Sequence, residues 1–307
     1  MMVYGKKEAV SFLSSWMSDK HDIVLVTGST SYTQCGAELF FAPFFAGKTI
    51  RHFRTTGENA KSEDIDEYKR QLPEKVDAFV AIGGGTVIDT TKLLRGLTTA
   101  VPFLAVPTTA GTGAEATRFA VYYENKVKKS ADDVRYLPTD QVLIPEFAET
   151  QSAYRRACTE FDAYAQAVES LWAKGATEES KRFAHLALEL MKSGEQMLGS
   201  YWAGRAIDIS RTTAAHAFSY YMTATYGVPH GEAVYMMFPF ICRANGYEKF
   251  ILDKTELRTL DQFVADNELN REEIIDKLFS NVNSARLGNN PCELRKEHFD
   301  IACLVRK

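Results

Sequence analysis

The run Val76–Ile82 (VDAFVAI), followed at once by Gly83-Gly84-Gly85-Thr86, constrains this chain more than any other feature. Short apolar runs that end in turn residues read as strands covered on both faces. Two others share the form. Asp22–Thr27 (DIVLVT) ends at Gly28, Ser29 and Thr30, and Val101–Val106 (VPFLAV) ends at Pro107. Residues from Val87 onward read as a helix. The alternation predicts a parallel sheet in an α/β layer.

Past Pro145 the texture changes. Segments 160–174 and 181–197 have helical spacing with no strand between them. A boundary at residue 147 is therefore expected, with an α/β dinucleotide-binding domain at 1–147, an all-helical domain at 148–307 and the site in the cleft between them. With 307 residues the chain is long enough for two cores. A net charge of −4 argues against a nucleic-acid or anionic-membrane partner. Cys35, Cys158, Cys242, Cys292 and Cys303 are scattered and form no CxxC pair, which fits a reducing cytoplasm. The first twenty residues lack a signal-like core. The longest apolar run, Leu39–Gly47, is too short for a bilayer and contains Pro43.

Glycines between a strand and a helix let the backbone approach a phosphate, and the helix N-terminus adds free N–H donors. The alternative is a plain turn, with Asp89 and Lys92 a surface pair. A second loop, Pro107-Thr108-Thr109-Ala110-Gly111-Thr112-Gly113-Ala114-Glu115, also follows a strand and offers hydroxyls to a ribose or pyrophosphate. The dinucleotide motif GxGxxG is absent. In the second half, Asp162 and Gln166 share one helix face. His216 and His230 lie 14 apart, the latter in GVPHG. Two imidazoles and a carboxylate can hold a first-row divalent metal with a position left open. His21, His52, His185 and His298 read as ordinary core or surface residues.

The motifs GGGTVIDTTK, VPTTAGTGAEAT, the Asp162 helix and HAFSYYMTATYGVPHGEAV recur in order across residues 23–244. Together they resemble the iron-containing (group III) alcohol dehydrogenases. The resemblance implies a nucleotide-binding α/β domain, a helical domain and one divalent metal, Fe²⁺ or Zn²⁺, in the cleft. It implies that Gly83, Gly84, Gly85, Thr86, Thr108, Thr109 and Thr112 hold NADPH or NADH, that Asp89 braces the glycine loop, and that Lys128 sits near the cofactor ribose. Asp162, Gln166, His216 and His230 fall on the metal-ligand positions, and Asp162, His216, His230 and Tyr220 are the expected catalytic residues. Gln166 and Tyr220 stand where the family usually has histidine, and the chain is shorter than is usual there.

The runs DAYAQAVES (162–170), AGRAI (203–207), TTAAHAFSY (212–220) and RLGNNP (286–291) resemble one branch, the phosphonoacetaldehyde reductases. That implies reduction of phosphonoacetaldehyde to 2-hydroxyethylphosphonate, with an anionic aldehyde as substrate. Arg205, Ile209, Thr212 and His216 fall at i, i+4, i+7 and i+11, one stripe of one helix, which would put a guanidinium and a hydroxyl on the metal-facing side. Arg205, Thr212 and Thr213 are the expected substrate contacts, with Arg118 and Arg211 as weaker candidates. The alternative for Arg205 is a side chain reaching solvent. Gly28 stands where NAD-preferring relatives resemble an aspartate-bearing Val-Thr-Asp-Lys-Thr segment. With Ser29, Thr30 and Ser31 beside it, the strand end predicts acceptance of NADPH. Alternatives are another small aldehyde or alcohol, a dehydroquinate synthase-like lyase, or a non-catalytic homologue. A homodimer is an open expectation.

Overall fold

Along β2 (Asp22–Gly28) successive side chains divide between two cores, because neighbours on a strand point to opposite faces. Ile23 and Leu25 join Val80, Ile82, Leu104 and Val106 on one face. Val24 and Val26 join Phe79, Ala81, Phe103 and Ala105 on the other. Both faces are covered, as the unbroken apolar runs require. The computed structural model describes residues 1–57, 59–96, 100–125 and 127–300. Cys303 and the end of the expected second domain lie outside them.

The other strands are β1 (Met2–Tyr4), β3 (Thr49–Thr55), β4 (Ala78–Gly83), β5 (Phe103–Pro107), β6 (Phe119–Glu124), β7 (Val127–Asp132) and β8 (Asp140–Leu143). Six of them form a parallel sheet in the order β1-β8-β5-β4-β2-β3, and β6 and β7 form a separate antiparallel hairpin. The strand expected at 76–82 begins two residues late because the Asp77 carboxylate accepts the His21 and Asp22 N–H groups at the sheet entry. The one expected at 101–106 begins at Phe103, since Pro102 has no N–H for a ladder. The edge strands β1 and β3 carried no apolar run.

The first-half helices are α1 (Lys6–Trp16), α2 (Ser31–Gln34), α3 (Ala37–Phe45), α4 (Ser62–Arg70) and α5 (Gly85–Arg95). Leu13 of α1 and Phe41 of α3 cover one sheet face, and Val87, Ile88 and Leu94 of α5 the other.

After β8 the chain is helical: α6 (Ala153–Trp172), α7 (Glu178–Lys192), α8 (Gln196–Ser210), α9 (Ala214–Tyr226), α10 (His230–Asn245), α11 (Leu260–Asp266), α12 (Arg271–Ser280) and α13 (Ser284–Gly288). Their core joins Phe161 and Trp172 of α6, Phe218 of α9, Phe238 of α10 and Leu278 of α12. The segment 181–197, read as one helix, is two, because Gly194 turns the chain at φ 90°. Among the described residues no helix is long and apolar enough to cross a membrane, and Cys35, Cys158, Cys242 and Cys292 are free thiols.

Candidate active site

Asp162, Gln166 and Glu169 project from one face of α6, at the i, i+4, i+7 spacing that stacks side chains along a helix. All three are buried. His216 stands in the first turn of α9, and His230 begins α10. Close packing of α10 on α6 brings His230 in. A Cβ on Gly231 would lie 1.9 Å from the Cys158 carbonyl oxygen, so only glycine permits the approach. The ligating atoms of Asp162, His216 and His230 lie within 4.8 Å of one another.

Each imidazole is aimed by a partner on its other nitrogen. His216 Nδ1 donates to Glu169 Oε2 at 2.5 Å, leaving Nε2 3.0 Å from Asp162 Oδ1. His230 Nδ1 lies 3.4 Å from Ser219 Oγ, and its Nε2 is 3.9 Å from the same Asp162 oxygen. Glu169 is itself held by the Thr213 hydroxyl and by the Thr213 and Ala215 N–H groups. Such outer partners fix ring orientation and tautomer in metal sites.

The electrostatics suit a cation. Burial alone would hold the His216 imidazolium down, but the Glu169 and Asp162 carboxylates outweigh it and push its pKa up to about 9. Burial, then the charges of Lys128 and His216, drive His230 well below its usual value, so its Nε2 lone pair is available. Gln166 completes the set. Its Nε2 donates to the Thr112 carbonyl at 3.2 Å, while its Oε1 is buried with no hydrogen-bond donor. A buried acceptor without a donor is costly, and a neutral carbonyl oxygen is a competent ligand for a divalent ion. These residues fit a metal.

A groove runs along the carboxyl ends of β2, β4 and β5, where open α/β sheets place ligands. Gly28, Ser29, Gly84, Gly85, Thr86, Thr108, Thr109 and Thr112 line it. Gly83 ends β4 just behind and pairs with Pro107 of β5. The two loops pack tightly: a Cβ on Gly85 would lie 2.9 Å from Thr112 Oγ1. The N-terminus of α5 opens there, and the Thr108 hydroxyl is buried without a partner. An anionic, hydroxyl-rich dinucleotide fits these groups.

Several expectations need correction. Asp89 and Lys92 are not a surface pair. Lys92 is wholly buried, 3.2 Å from Asp89, and donates to the Phe119 carbonyl at 2.5 Å. Asp89 accepts the Val121 N–H, so the hydrogen bonds it makes tie α5 to the β6–β7 hairpin and not to the glycine loop. Lys128, on β7, lines the metal cleft, which shares Gly85, Thr86 and Thr112 with the strand-end groove. Burial and the nearby Arg286 guanidinium lower its pKa to about 7.

The Arg205 stripe does not exist. Residues 205–216 are not one helix. Helix α8 stops at Ser210, Arg211 adopts φ 64°, and α9 starts at Ala214. Arg205 lies outside the cleft, with its guanidinium 5.9 Å from the Phe183 ring centre. Thr213 is buried on the Glu169 side, where it also accepts from Trp172 Nε1. Arg118 and Arg211 are bound to Asp208 and Asp132. Of the expected substrate contacts, Thr212 alone lines the cleft.

Arg286 takes the place expected of Arg205. It lines the cleft with the metal quartet, donates to the Thr212 hydroxyl and lies 5.6 Å from the Tyr220 ring centre. The residues after it latch its segment down. Asn289 Nδ2 donates to the Ser210 and Thr212 carbonyls, and its Oδ1 accepts from Gly175 N. RLGNNP was noticed as a motif, but nothing local says that its arginine reaches a helix break 74 residues earlier. Glu169 was missed although its signal, the i+7 position from Asp162, was present.

Two family models match: iron-containing alcohol dehydrogenase over residues 2–145, and the C-terminal part of the Fe-containing alcohol dehydrogenase family over 156–290. The chain is 31% identical over 229 residues to an NAD-dependent methanol dehydrogenase of Bacillus methanolicus, covering 63% of this chain and 58% of that protein. It is 31% identical over 213 residues to a phosphonoacetaldehyde reductase of Streptomyces viridochromogenes, covering 56% and 54%. The chain thus spans little more than half the length of these curated relatives. The crystal structure of sulfoacetaldehyde reductase from Bifidobacterium kashiwanohense in complex with NAD⁺ superposes with a TM-score of 0.81 over 99% of this chain and 96% of that one, at 22% identity. The chain belongs to the iron-containing alcohol dehydrogenase family.

Proposed function

We propose that this chain is a metal-dependent, nicotinamide-linked reductase of a small aldehyde with an anionic tail, acting on phosphonoacetaldehyde to form 2-hydroxyethylphosphonate. The observation that carries the reading is the placement of Arg286 and Lys128 in the same cleft as Asp162, Gln166, His216 and His230. Relatives named for a plain alcohol and for a phosphonate aldehyde match equally well, and the basic side chains in the cleft favour the second.

When bound, a divalent ion supplies Lewis-acid polarisation of the carbonyl oxygen and a reduced nicotinamide supplies hydride to its carbon. The protein's part is positional. Asp162, Gln166, His216 and His230 hold the ion, and Glu169 and Ser219 keep both Nε2 atoms turned toward it. The loops at Gly83–Thr86 and Thr108–Thr112 hold the dinucleotide across the strand ends. Arg286 and the Thr212 hydroxyl grip the tail, which sets the aldehyde end toward the metal. Gly28 leaves the strand end free of a carboxylate, and NADPH is the preferred cofactor. The donor-free Gln166 Oε1 speaks against a non-catalytic homologue. Free thiols suit a cytoplasmic enzyme, and a homodimer is its proposed assembly.

The test is oxidation of NADPH and NADH by metal-loaded protein with phosphonoacetaldehyde and with acetaldehyde, in the wild type and in Arg286→Ala. Phosphonoacetaldehyde should be the better substrate. Loss of a charge-assisted contact of a few kcal/mol should lower its kcat/KM by roughly a hundredfold. Equal losses on both aldehydes would remove Arg286 from substrate recognition.

A further inference from the structure

Arg286 and Lys128 are both basic side chains, and both line one cleft. Two like charges side by side repel, and beyond the Asp162 and Asp89 carboxylates that act on Lys128 the protein must offer something to hold them together. The ring of Tyr220 is placed to do so. Lys128 Nζ lies 3.6 Å from its centre, and the Arg286 guanidinium carbon lies 5.6 Å from it. Both are within the range at which an aromatic face attracts a cation, and the attraction grows when water is excluded. Tyr220 also packs beside the metal site, its ring centre 6.0 Å from that of His230. The Thr212 hydroxyl, already bound to Arg286, stands at the same end of the cleft.

We propose that Tyr220 is a specificity-determining residue whose ring gathers Lys128 and Arg286 into a site for a tail with two negative charges, favoured over a tail with one. The inference rests on the proposed anionic substrate and deepens it. A phosphonate dianion has three oxygens for three donors: a guanidinium, an ammonium and, once Arg286 turns to the tail, the Thr212 hydroxyl. A sulfonate has the same shape and one charge fewer, so it leaves one of the two cations uncompensated. Histidine at position 220, the family's usual residue, would offer a smaller ring and could itself become cationic, adding a third positive charge.

The test uses non-reacting probes, so it does not depend on turnover of any aldehyde. Binding of ethylphosphonate and ethanesulfonate to metal-loaded protein at pH 8 is measured by calorimetry for the wild type, Tyr220→Phe and Tyr220→Leu. The expected result is a preference for ethylphosphonate of tenfold or more in the wild type. The preference should persist within threefold in the Phe variant and shrink to less than threefold in the Leu variant. A wild type that binds both probes equally would overturn the proposal, even if phosphonoacetaldehyde is a substrate. A preference that survives in Tyr220→Leu would also overturn it and assign the selectivity to the metal. A Phe variant that loses as much as the Leu variant would assign the effect to the hydroxyl and not to the ring. Failure of phosphonoacetaldehyde turnover with the binding preference intact would leave this inference standing and sink the proposed reaction alone.

Discussion

Glu169 Oε2 lies 2.5 Å from His216 Nδ1, and that single contact turns the other ring nitrogen to within 3.0 Å of Asp162. Glu169 is fully buried, and its carboxyl works against burial to stay below its usual pKa because His216 and Thr213 donate to it. Replacing it with glutamine keeps the shape and removes the charge. Outer partners of this kind are worth about 10- to 100-fold in metal affinity. Glu169→Gln should therefore weaken binding of Fe²⁺ or Zn²⁺ by that factor, measured by competition with a chelator. Unchanged affinity would make the contact purely structural.

Gln166 offers a sharper test of the ligand set. With its Oε1 lacking any donor, Gln166→Ala removes a ligand and also relieves a buried, unsatisfied acceptor. Metal affinity should fall while the metal-free protein unfolds at the same temperature or higher. Gln166→His should keep activity within an order of magnitude and bind metal at least as tightly. A Gln166→Ala variant with wild-type metal affinity would exclude Gln166 from the coordination sphere.

Cofactor choice turns on Gly28. A carboxylate at this strand end would accept the ribose 2′-hydroxyl and repel a 2′-phosphate. A Cβ there would meet Ser31 Oγ at 2.4 Å, a side-chain atom that can turn away. The double variant Gly28→Asp with Ser31→Ala removes this crowding. Its NADH-to-NADPH ratio of kcat/KM should rise at least tenfold over the wild type. Wild-type protein that uses NADH ten times better than NADPH would refute the reading of this strand end.

Glu115 links stability to pH. It closes the second loop and is buried, and burial raises its carboxyl from 4.5 to about 7. The folded protein therefore holds a proton that the unfolded chain has released between those values. Stability falls as pH rises from 4.5 to 7 and is flat above, with about 3 kcal/mol as the upper bound. Glu115→Gln cannot ionise, so relative to the wild type it should gain stability across that window and keep the gain at pH 8. Unfolding midpoints of both proteins from pH 4.5 to 8 give the difference. A difference that does not change with pH would show that Glu115 is not the titrating group.

Local patterns were enough for the three central strands β2, β4 and β5 of the α/β half. Apolar runs ending at Gly28, Gly83 and Pro107 carry their own evidence, since a strand covered on both faces must be apolar throughout and must stop where turn residues begin. The same holds for the glycine and threonine loops and for Asp162 and Gln166, which lie one helical turn apart on α6. His216 and His230 were candidates by residue type, but the family resemblance was needed to set them on one metal, because 14 residues of separation set no distance in space. What tertiary structure alone decided was which cation enters the cleft. A stripe drawn from Arg205 to His216 assumes an unbroken helix, and the left-handed turn at Arg211 rotates Arg205 out of it. Arg286 enters because Asn289 pins its segment to the carbonyls that this break exposes at Ser210 and Thr212. Helical periodicity is a property of neighbours in sequence, whereas those carbonyls find their donors only after the chain has folded back on itself.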